Sequence, residues 1–225
     1  MHDLRMQRFR SAGIYLVTSA ALSAGRTTMS VLDSALAAGI RLIQLREKDV
    51  ATGAFVDLAI RAREATDRCG AILIVNDRLD VAMACRADGV HLGQDDFPVA
   101  TARRLAPDMI IGASSHNVDE AVAAQSAGAS YVNIGPIFPT TTKQWQSEYL
   151  GLGGIDTIAP HLSIPFTVMG GIKLPHIQEL VGHGARTIAV VTAITAAPDP
   201  GAAASSLLAA YTGALAVEKH RAKTN

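Results

Sequence analysis

An eightfold alternation of apolar strand and alanine-rich helix predicts an α/β fold for this chain, a single (β/α)8 TIM barrel. Three observations carry that expectation. Short apolar runs recur along most of the 225 residues, helical stretches separate them, and glycines repeatedly stand between a helix and the next run. Strands are expected at 13–18, 40–46, 71–76, 88–92, 109–113, 130–135, 165–170 and 186–191. Helices are expected at 28–38, 52–68, 78–86, 98–105, 117–127, 152–160, 174–182 and 201–213. The punctuating glycines are Gly39, Gly89, Gly128 and Gly184, each placed to close a helix in the left-handed conformation. A doubly wound open sheet is the alternative, but no Gly-x-Gly-x-x-Gly follows the first strand, which weakens its dinucleotide-binding form. The whole chain reads as one domain: a barrel over about 13–214, a short N-terminal extension 1–12 and a charged, frayed tail 215–225.

Composition narrows the function classes. Half the chain, 49%, is hydrophobic, enough to bury a substantial core. Twenty cations balance 20 anions, so no global field draws nucleic acid or an anionic membrane, and any anion site must be local. With only 4% aromatic residues, a base-stacking platform is not expected either. Cys69 and Cys85 lack metal-site spacing and read as buried apolar residues in a reducing cytoplasm. No run of 18 apolar residues is present, so no membrane partner is expected. Arg5, Arg8 and Arg10 ahead of the run from Gly13 loosely imitate a secretion signal, but the barrel needs that run as its first strand.

Closure into a barrel would bring all eight strand ends to one mouth. After the second strand comes Gln44-Leu-Arg-Glu-Lys48, in which Gln44, Arg46 and Lys48 would share a face. Two cations and an amide there suit an anion and a neutral polar group; a solvated charge run is the plainer reading. The third strand ends in Asn76-Asp-Arg78 and the fourth in His91-Leu-Gly-Gln-Asp-Asp96. Carboxylates from neighbouring strand ends suit Mg²⁺, although an Asp at such a place also caps a helix. Ser114 and His116 follow the fifth strand as ligand contacts or helix starts, and Gly135-Pro-Ile-Phe-Pro-Thr-Thr-Thr-Lys143 follows the sixth as a stiff loop leading to a cation. Backbone N–H groups around Gly170, Gly171, Val191 and Thr192, after the last two strands, suit a phosphate. Two anion sites, one cationic and metal-assisted and one a neutral cradle, suggest the joining of two phosphorylated small molecules with loss of pyrophosphate.

Taken together, Gln44-Leu-Arg-Glu-Lys48, Asn76-Asp-Arg78, Asp88-Gly-Val-His-Leu-Gly-Gln-Asp-Asp96, the 135–143 turn and Gly170-Gly-Ile172 resemble the thiamine-phosphate synthase family from about Ile14 to Ile194. The resemblance implies a transferase that condenses 4-amino-2-methyl-5-hydroxymethylpyrimidine diphosphate with 4-methyl-5-(2-phosphoethyl)thiazole. It implies that Gln44 recognises the pyrimidine with Ser114 on the same side, and that Arg46, Lys48, Asn76 and Lys143 hold the diphosphate. Asp77 and Asp96 would bind Mg²⁺, Thr140 and Thr142 would line the thiazole site, and Gly171, Val191 and Thr192 would cradle its phosphate. Pyrophosphate would leave first, and the thiazole nitrogen would attack the pyrimidine methylene cation, with Arg46, Lys48, Lys143 and Ser114 as the catalytic set.

The chain departs from that pattern in three places: Thr192 stands for a usual Ser, Thr141 for a common proline, and Gln144-Trp-Gln-Ser-Glu-Tyr149 for a small, proline-containing stretch. The last makes Trp145 and Tyr149 candidates for a lid or a subunit contact and leaves a homo-oligomer open. Two rivals are a thiazole tautomerase-like isomerase using His116 and a non-catalytic phosphate-sensing barrel. Neither needs Arg46, Lys48, Asp77, Asp96 and Lys143 together.

Overall fold

The computed structural model describes residues 2–140 and 148–224. Eight parallel strands close into a barrel in chain order: β1 Ile14–Val17, β2 Leu42–Leu45, β3 Ile72–Asn76, β4 Gly89–Leu92, β5 Ile110–Ser115, β6 Tyr131–Ile134, β7 Phe166–Val168 and β8 Ile188–Val190. Each falls at its expected place, β5 running two residues further than the sequence pattern indicated. Pairing of Ile14 with Ile188 and of Tyr15 with Ala189 joins the first strand to the last.

Around the barrel run α2 Thr28–Ala37, α3 Thr52–Arg68, α4 Leu79–Ala84, α5 Val99–Leu105, α6 Val118–Ser126, α7 Gly151–Ile158, α8 Ile177–Gly182, the short α9 Thr192–Thr195 and α10 Pro200–Thr224; α1, His2–Ser11, precedes β1. Period-two alternation sorts the buried residues into two layers. Ile14, Leu16, Ile43, Leu45, Leu73, Val75, Val132 and Ile188 face the helices in the larger core. Tyr15, Val17, Leu42, Ile72, Ile74, Ile110, Tyr131, Ala189 and Val191 fill the barrel itself.

The segment read as an N-terminal extension is a helix that closes the barrel floor. Met6 and Phe9 of α1 enter the inner layer, and the fully buried Phe9 ring lies 4.5 Å from that of Tyr131 and 6.3 Å from that of Tyr15. Arg5 donates to Asp88 and to the carbonyl of Asp108, and Arg8 donates to the carbonyl of Gly70. All three acceptors precede β3, β4 or β5, so the arginines fix α1 to the strands' N-terminal ends. Asp88 in turn accepts from Arg63 at 2.6 Å and from Leu73 N–H at 3.0 Å, so this buried carboxylate is paired.

Three local expectations are corrected. Gly39, Gly128 and Gly184 take positive φ as anticipated, but Gly89 opens β4 facing inward, where a Cβ would meet Ile74 and Ile110; the left-handed residue at that helix end is Arg86. Cys69, at the end of α3, is exposed, whereas Cys85 is buried. The chain beyond 214 does not leave the helix: α10 continues to Thr224, with Glu218 bound to Arg186 at 2.7 Å. Pro200–Arg221 is long and apolar enough by length and composition to cross a membrane. Here it packs on α2 and α8, burying Ala204, Leu207, Tyr211 and Ala214.

Truncating Phe9 would leave a cavity between α1 and the Tyr15–Tyr131 layer. Phe9→Ala is expected to lower unfolding free energy by about 3–5 kcal/mol, measured by the denaturant midpoint. An unchanged midpoint would show that α1 does not support the barrel.

Candidate active site

The strand ends enclose one cavity of about 330 Å³ at the barrel mouth. Gln44, Arg46, Lys48, Asn76, Asp77, Asp96, Ser114, Thr140, Gly171, Val191 and Thr192 all line it, so the structure brings these sequence-predicted residues together. Thr142 and Lys143 lie outside the described residues, as do Thr141 and Trp145.

Gln44 belongs to β2, but Arg46 and Lys48 lie in the turn after it; the shared face is completed by that turn rather than by more strand. Glu47, to which the sequence reading gave no role, anchors it. Its carboxylate accepts from Thr18 and Thr28 hydroxyls at 3.0 and 2.6 Å and from Ala20 N–H at 2.8 Å. Thr18 Oγ1 also accepts from Arg46 N–H at 3.0 Å. Alternation hid this residue, because it points away from the cations it positions.

Asp77 follows β3 with φ +60°, a left-handed conformation that Asp tolerates better than most residues. Its N–H donates to the His91 carbonyl at 2.8 Å, and its carboxylate takes the Lys48 ammonium at 2.6 Å. Asp96 accepts from Gly93 N–H at 2.7 Å, folding the turn after β4 back toward Asp77. Burial alone raises the Asp77 carboxyl, but hydrogen bonds from Asp96 and Lys48 outweigh it and hold Asp77 below the usual carboxylate range. Burial and the charged Asp77 push Asp96 the other way. The two carboxyls are therefore driven apart, Asp77 toward its charged form and Asp96 away from it, as expected of neighbouring acids. They fit a divalent cation that takes one or two carboxylates plus substrate oxygens. Among the described residues no group of three or more His, Cys, Asp or Glu forms a complete metal cage. Asp95 lines the cavity but is exposed.

Beneath the mouth, a hydrogen-bonded chain crosses the barrel. Gln44 Nε2 donates to Tyr15 Oη at 2.8 Å, and Tyr15 Oη lies 3.0 Å from Tyr131 Oη. Tyr131 Oη lies 2.9 Å from His91 Nδ1, and His91 Nε2 lies 3.0 Å from Ser114 Oγ. With Gln44 donating, one direction satisfies every buried group: Tyr15 donates to Tyr131, Tyr131 to Nδ1, and Nε2–H to Ser114. Ser114 then keeps its own proton for the cavity. Complete burial pushes His91 down to about 4, only partly offset by the Asp77 charge, so the imidazole is neutral and acts as a donor toward Ser114. A serine–histidine nucleophile is not what this geometry builds. Gly112 makes the chain possible, since a Cβ there would lie 2.1 Å from the Tyr131 ring. Tyr15 and Tyr131 were missed in the sequence, and His91 was named only as the start of the segment after the fourth strand, although all three occupy inward-facing positions and carry polar atoms.

The far wall comes from β6, β7 and β8. The turn after β6 runs beside the turn after β7, with Ile137 and Phe138 N–H donating to the carbonyls of Met169 and Gly170 at 2.9 and 3.0 Å. Gly171, at φ +62°, is pressed against this turn; a Cβ would meet the Pro139 carbonyl at 2.3 Å. That contact holds Thr140 and Gly171 on one side of the cavity. His116 is held at the start of α6 by Glu120 at 2.8 Å, its plainer structural role.

Comparison with known proteins agrees with this geometry. The family model described as thiamine monophosphate synthase matches residues 14–194. A thiamine-phosphate synthase of Chloroflexus aurantiacus is 46% identical over 87% of this chain and 91% of its own length. One from Lawsonia intracellularis is 42% identical over 84% and 87%. The solved thiamine phosphate pyrophosphorylase of Pyrococcus furiosus superposes with a TM-score of 0.85 at 33% identity, covering 92% of this chain and 99% of its own.

The neutral His91 has a measurable consequence. The unfolded chain protonates this histidine near its ordinary 6.5, whereas the folded chain resists until about 4. Stability is therefore fully present above pH 6.5 and falls as pH drops toward 4, by roughly 3 kcal/mol. Asp96 works in the opposite sense, so the difference between wild type and His91→Asn isolates the histidine. Denaturant titrations from pH 7 to 4 should show a steeper loss in the wild type; parallel curves would rule out a buried neutral His91.

Proposed function

This chain belongs to the thiamine monophosphate synthase family, and from that premise we propose that its barrel mouth condenses 4-amino-2-methyl-5-hydroxymethylpyrimidine diphosphate with 4-methyl-5-(2-phosphoethyl)thiazole, giving thiamine phosphate and pyrophosphate. The observation that carries the reading is the division of one cavity into two unlike halves. Arg46, Lys48, Asn76, Asp77 and Asp96 stand on the β2–β4 side, and Gly171, Val191 and Thr192 on the β7–β8 side.

In this reading Gln44 and Ser114 recognise the pyrimidine from the two ends of the buried chain. Gln44 Oε1 has no hydrogen-bond partner among the described residues and Ser114 retains a proton, so together they offer one acceptor and one donor. Arg46, Lys48 and Asn76 hold the diphosphate, joined by Lys143 on the sequence reading. Asp77 and Asp96 would hold Mg²⁺, which when bound neutralises charge on the departing pyrophosphate. Loss of pyrophosphate leaves a methylene cation stabilised by the electron-rich aminopyrimidine ring. Gly171, Val191 and Thr192 hold the thiazole phosphate, and Thr140, with Thr142 on the sequence reading, lines the ring, so its nitrogen attacks that carbon. The C–O bond to pyrophosphate breaks with its electron pair leaving on oxygen, and the thiazole nitrogen pair forms the new C–N bond. No proton need move, which suits a site whose histidine is neutral and whose serine is a donor. Catalysis is then charge stabilisation and positioning. We place the enzyme in the cytoplasm, with small-molecule partners, no nucleic acid and no membrane.

Pyrophosphate release should require both substrates and Mg²⁺, cease in EDTA, and yield thiamine phosphate by mass. Release from the pyrimidine diphosphate alone would contradict a synthase. Asp77→Ala should raise the Mg²⁺ concentration for half-maximal release by tenfold or more, as expected for losing one of two carboxylate ligands. Unchanged kinetics at limiting Mg²⁺ would remove Asp77 from the metal site.

A further inference from the structure

The phosphate half of the cavity was read from the sequence as a neutral backbone cradle. In the structure a cation stands beside it, bonded to the cavity-lining Thr192 though not itself part of the lining. Lys173 follows the Gly170-Gly-Ile172 turn after β7, and its Nζ reaches across to donate to Thr192 Oγ1, just after β8, at 2.6 Å. The side chain thus bridges the two loops that form the cradle. Its backbone is held by a short turn: Lys173 N–H donates to His176 Nδ1 at 3.1 Å and His176 N–H to the Lys173 carbonyl at 3.0 Å. The His176 ring packs 4.2 Å from Phe138 in the turn after β6, so the lysine's stem is tied to all three loops of this wall.

Lys173 forms no ion pair among the described residues, unlike Lys48, which is engaged by Asp77. An ammonium has three donors, and one is used on Thr192. The carboxylates that line the cavity, Asp77, Asp95 and Asp96, belong to the loops after β3 and β4. A cation without an acid partner, beside a hydroxyl that lines a cavity, is matched by an anion. The bond also orients Thr192: its oxygen accepts from Lys173, which leaves the hydroxyl proton to donate into the cavity.

We propose that Lys173 is a phosphate-binding residue of the thiazole subsite, converting it into a charge-matched site that selects the phosphorylated thiazole over its free alcohol. The inference rests on the synthase reading for the identity of the ligand. A charge-assisted hydrogen bond to a dianion at an exposed position is worth about tenfold in affinity.

Calorimetry with 4-methyl-5-(2-phosphoethyl)thiazole on the wild type, Lys173→Gln and Lys173→Arg tests it. Lys173→Gln should raise Kd about tenfold, Lys173→Arg should recover most of the loss, and affinity for the non-phosphorylated thiazole alcohol should not change. The Lys173→Gln effect should shrink as salt is raised. Unchanged Kd for the phosphate, or equal weakening for phosphate and alcohol, would overturn the proposal. Wild-type pyrophosphate release, measured alongside, separates the two readings. Turnover with an unaffected Lys173→Gln Kd defeats only the lysine, whereas a wild type that neither binds the thiazole phosphate nor turns over defeats both.

Discussion

The closed ring of eight parallel strands is the constraint on which everything else in this molecule depends. Once Ile14 pairs with Ile188, no strand has a free edge, and every second side chain must be accommodated in a space only as wide as the side chains that fill it. The lower part is filled by apolar residues and sealed by Phe9 and Met6 from α1. Above it the inward positions become polar: Gln44, Asn76, His91, Ser114 and Asn133. Those groups cannot be left without partners in a packed interior. Tyr15 and Tyr131 resolve the conflict, since each offers a ring to the apolar layer and a hydroxyl to the polar one. The site floor and the core are therefore one structure, and a change as distant as Phe9 lies one ring contact from the chain that ends at Ser114.

Much of this was legible in the sequence because the barrel has a simple code. Short apolar runs gave the strands, helix-end glycines gave most of the breaks, and strand order alone brought distant motifs to one mouth. Legibility failed where a residue's role depends on a partner from another element. Nothing in the run before Gly13 marks Phe9 as a plug, because its partners, Tyr15 and Tyr131, are set by barrel closure. Glu47 sits between two cations and looks like their neighbour in a charge run; its real partners are Thr18, Ala20 and Thr28. Gly89 resembled a helix terminator because it follows one, yet its lack of a side chain serves the crowded contact with Ile74 and Ile110.

Electrostatics divides the cavity as sharply as packing divides the barrel. On the β2–β4 side, cations and carboxylates are interleaved: Lys48 is held by Asp77, and Asp96 favours the charged form of Asp77 while Asp77 opposes that of Asp96. Such an arrangement is poised for a ligand that brings both positive and negative charge, as a metal diphosphate does, because each protein charge then exchanges one partner for another rather than being left buried alone. The opposite wall has a different economy of groups. Backbone and the Thr192 hydroxyl line it, Lys173 is bonded to that hydroxyl, and among the described residues no carboxylate pairs with the lysine. A phosphate with no metal suits that side.

This asymmetry also bears on how the reaction can be catalysed without a base. Buried histidine and serine 3.0 Å apart would ordinarily suggest a nucleophile and its activator. Here the histidine's other nitrogen is committed to Tyr131, and its protonation is opposed by full burial. An imidazole so placed orients a hydroxyl and does not accept its proton. Deprotonation of Ser114 would put an imidazolium in the barrel interior, at a cost that the single nearby charge of Asp77 does not offset. The chain is thus built to keep its protons fixed, which in the proposed reaction leaves charge to move elsewhere, from the breaking C–O bond toward the Arg46 and Lys48 side. Under that proposal, fixed dipoles on the pyrimidine face and counter-charges around the leaving group would need no reorganisation as that bond breaks, which is the electrostatic condition a dissociative displacement requires.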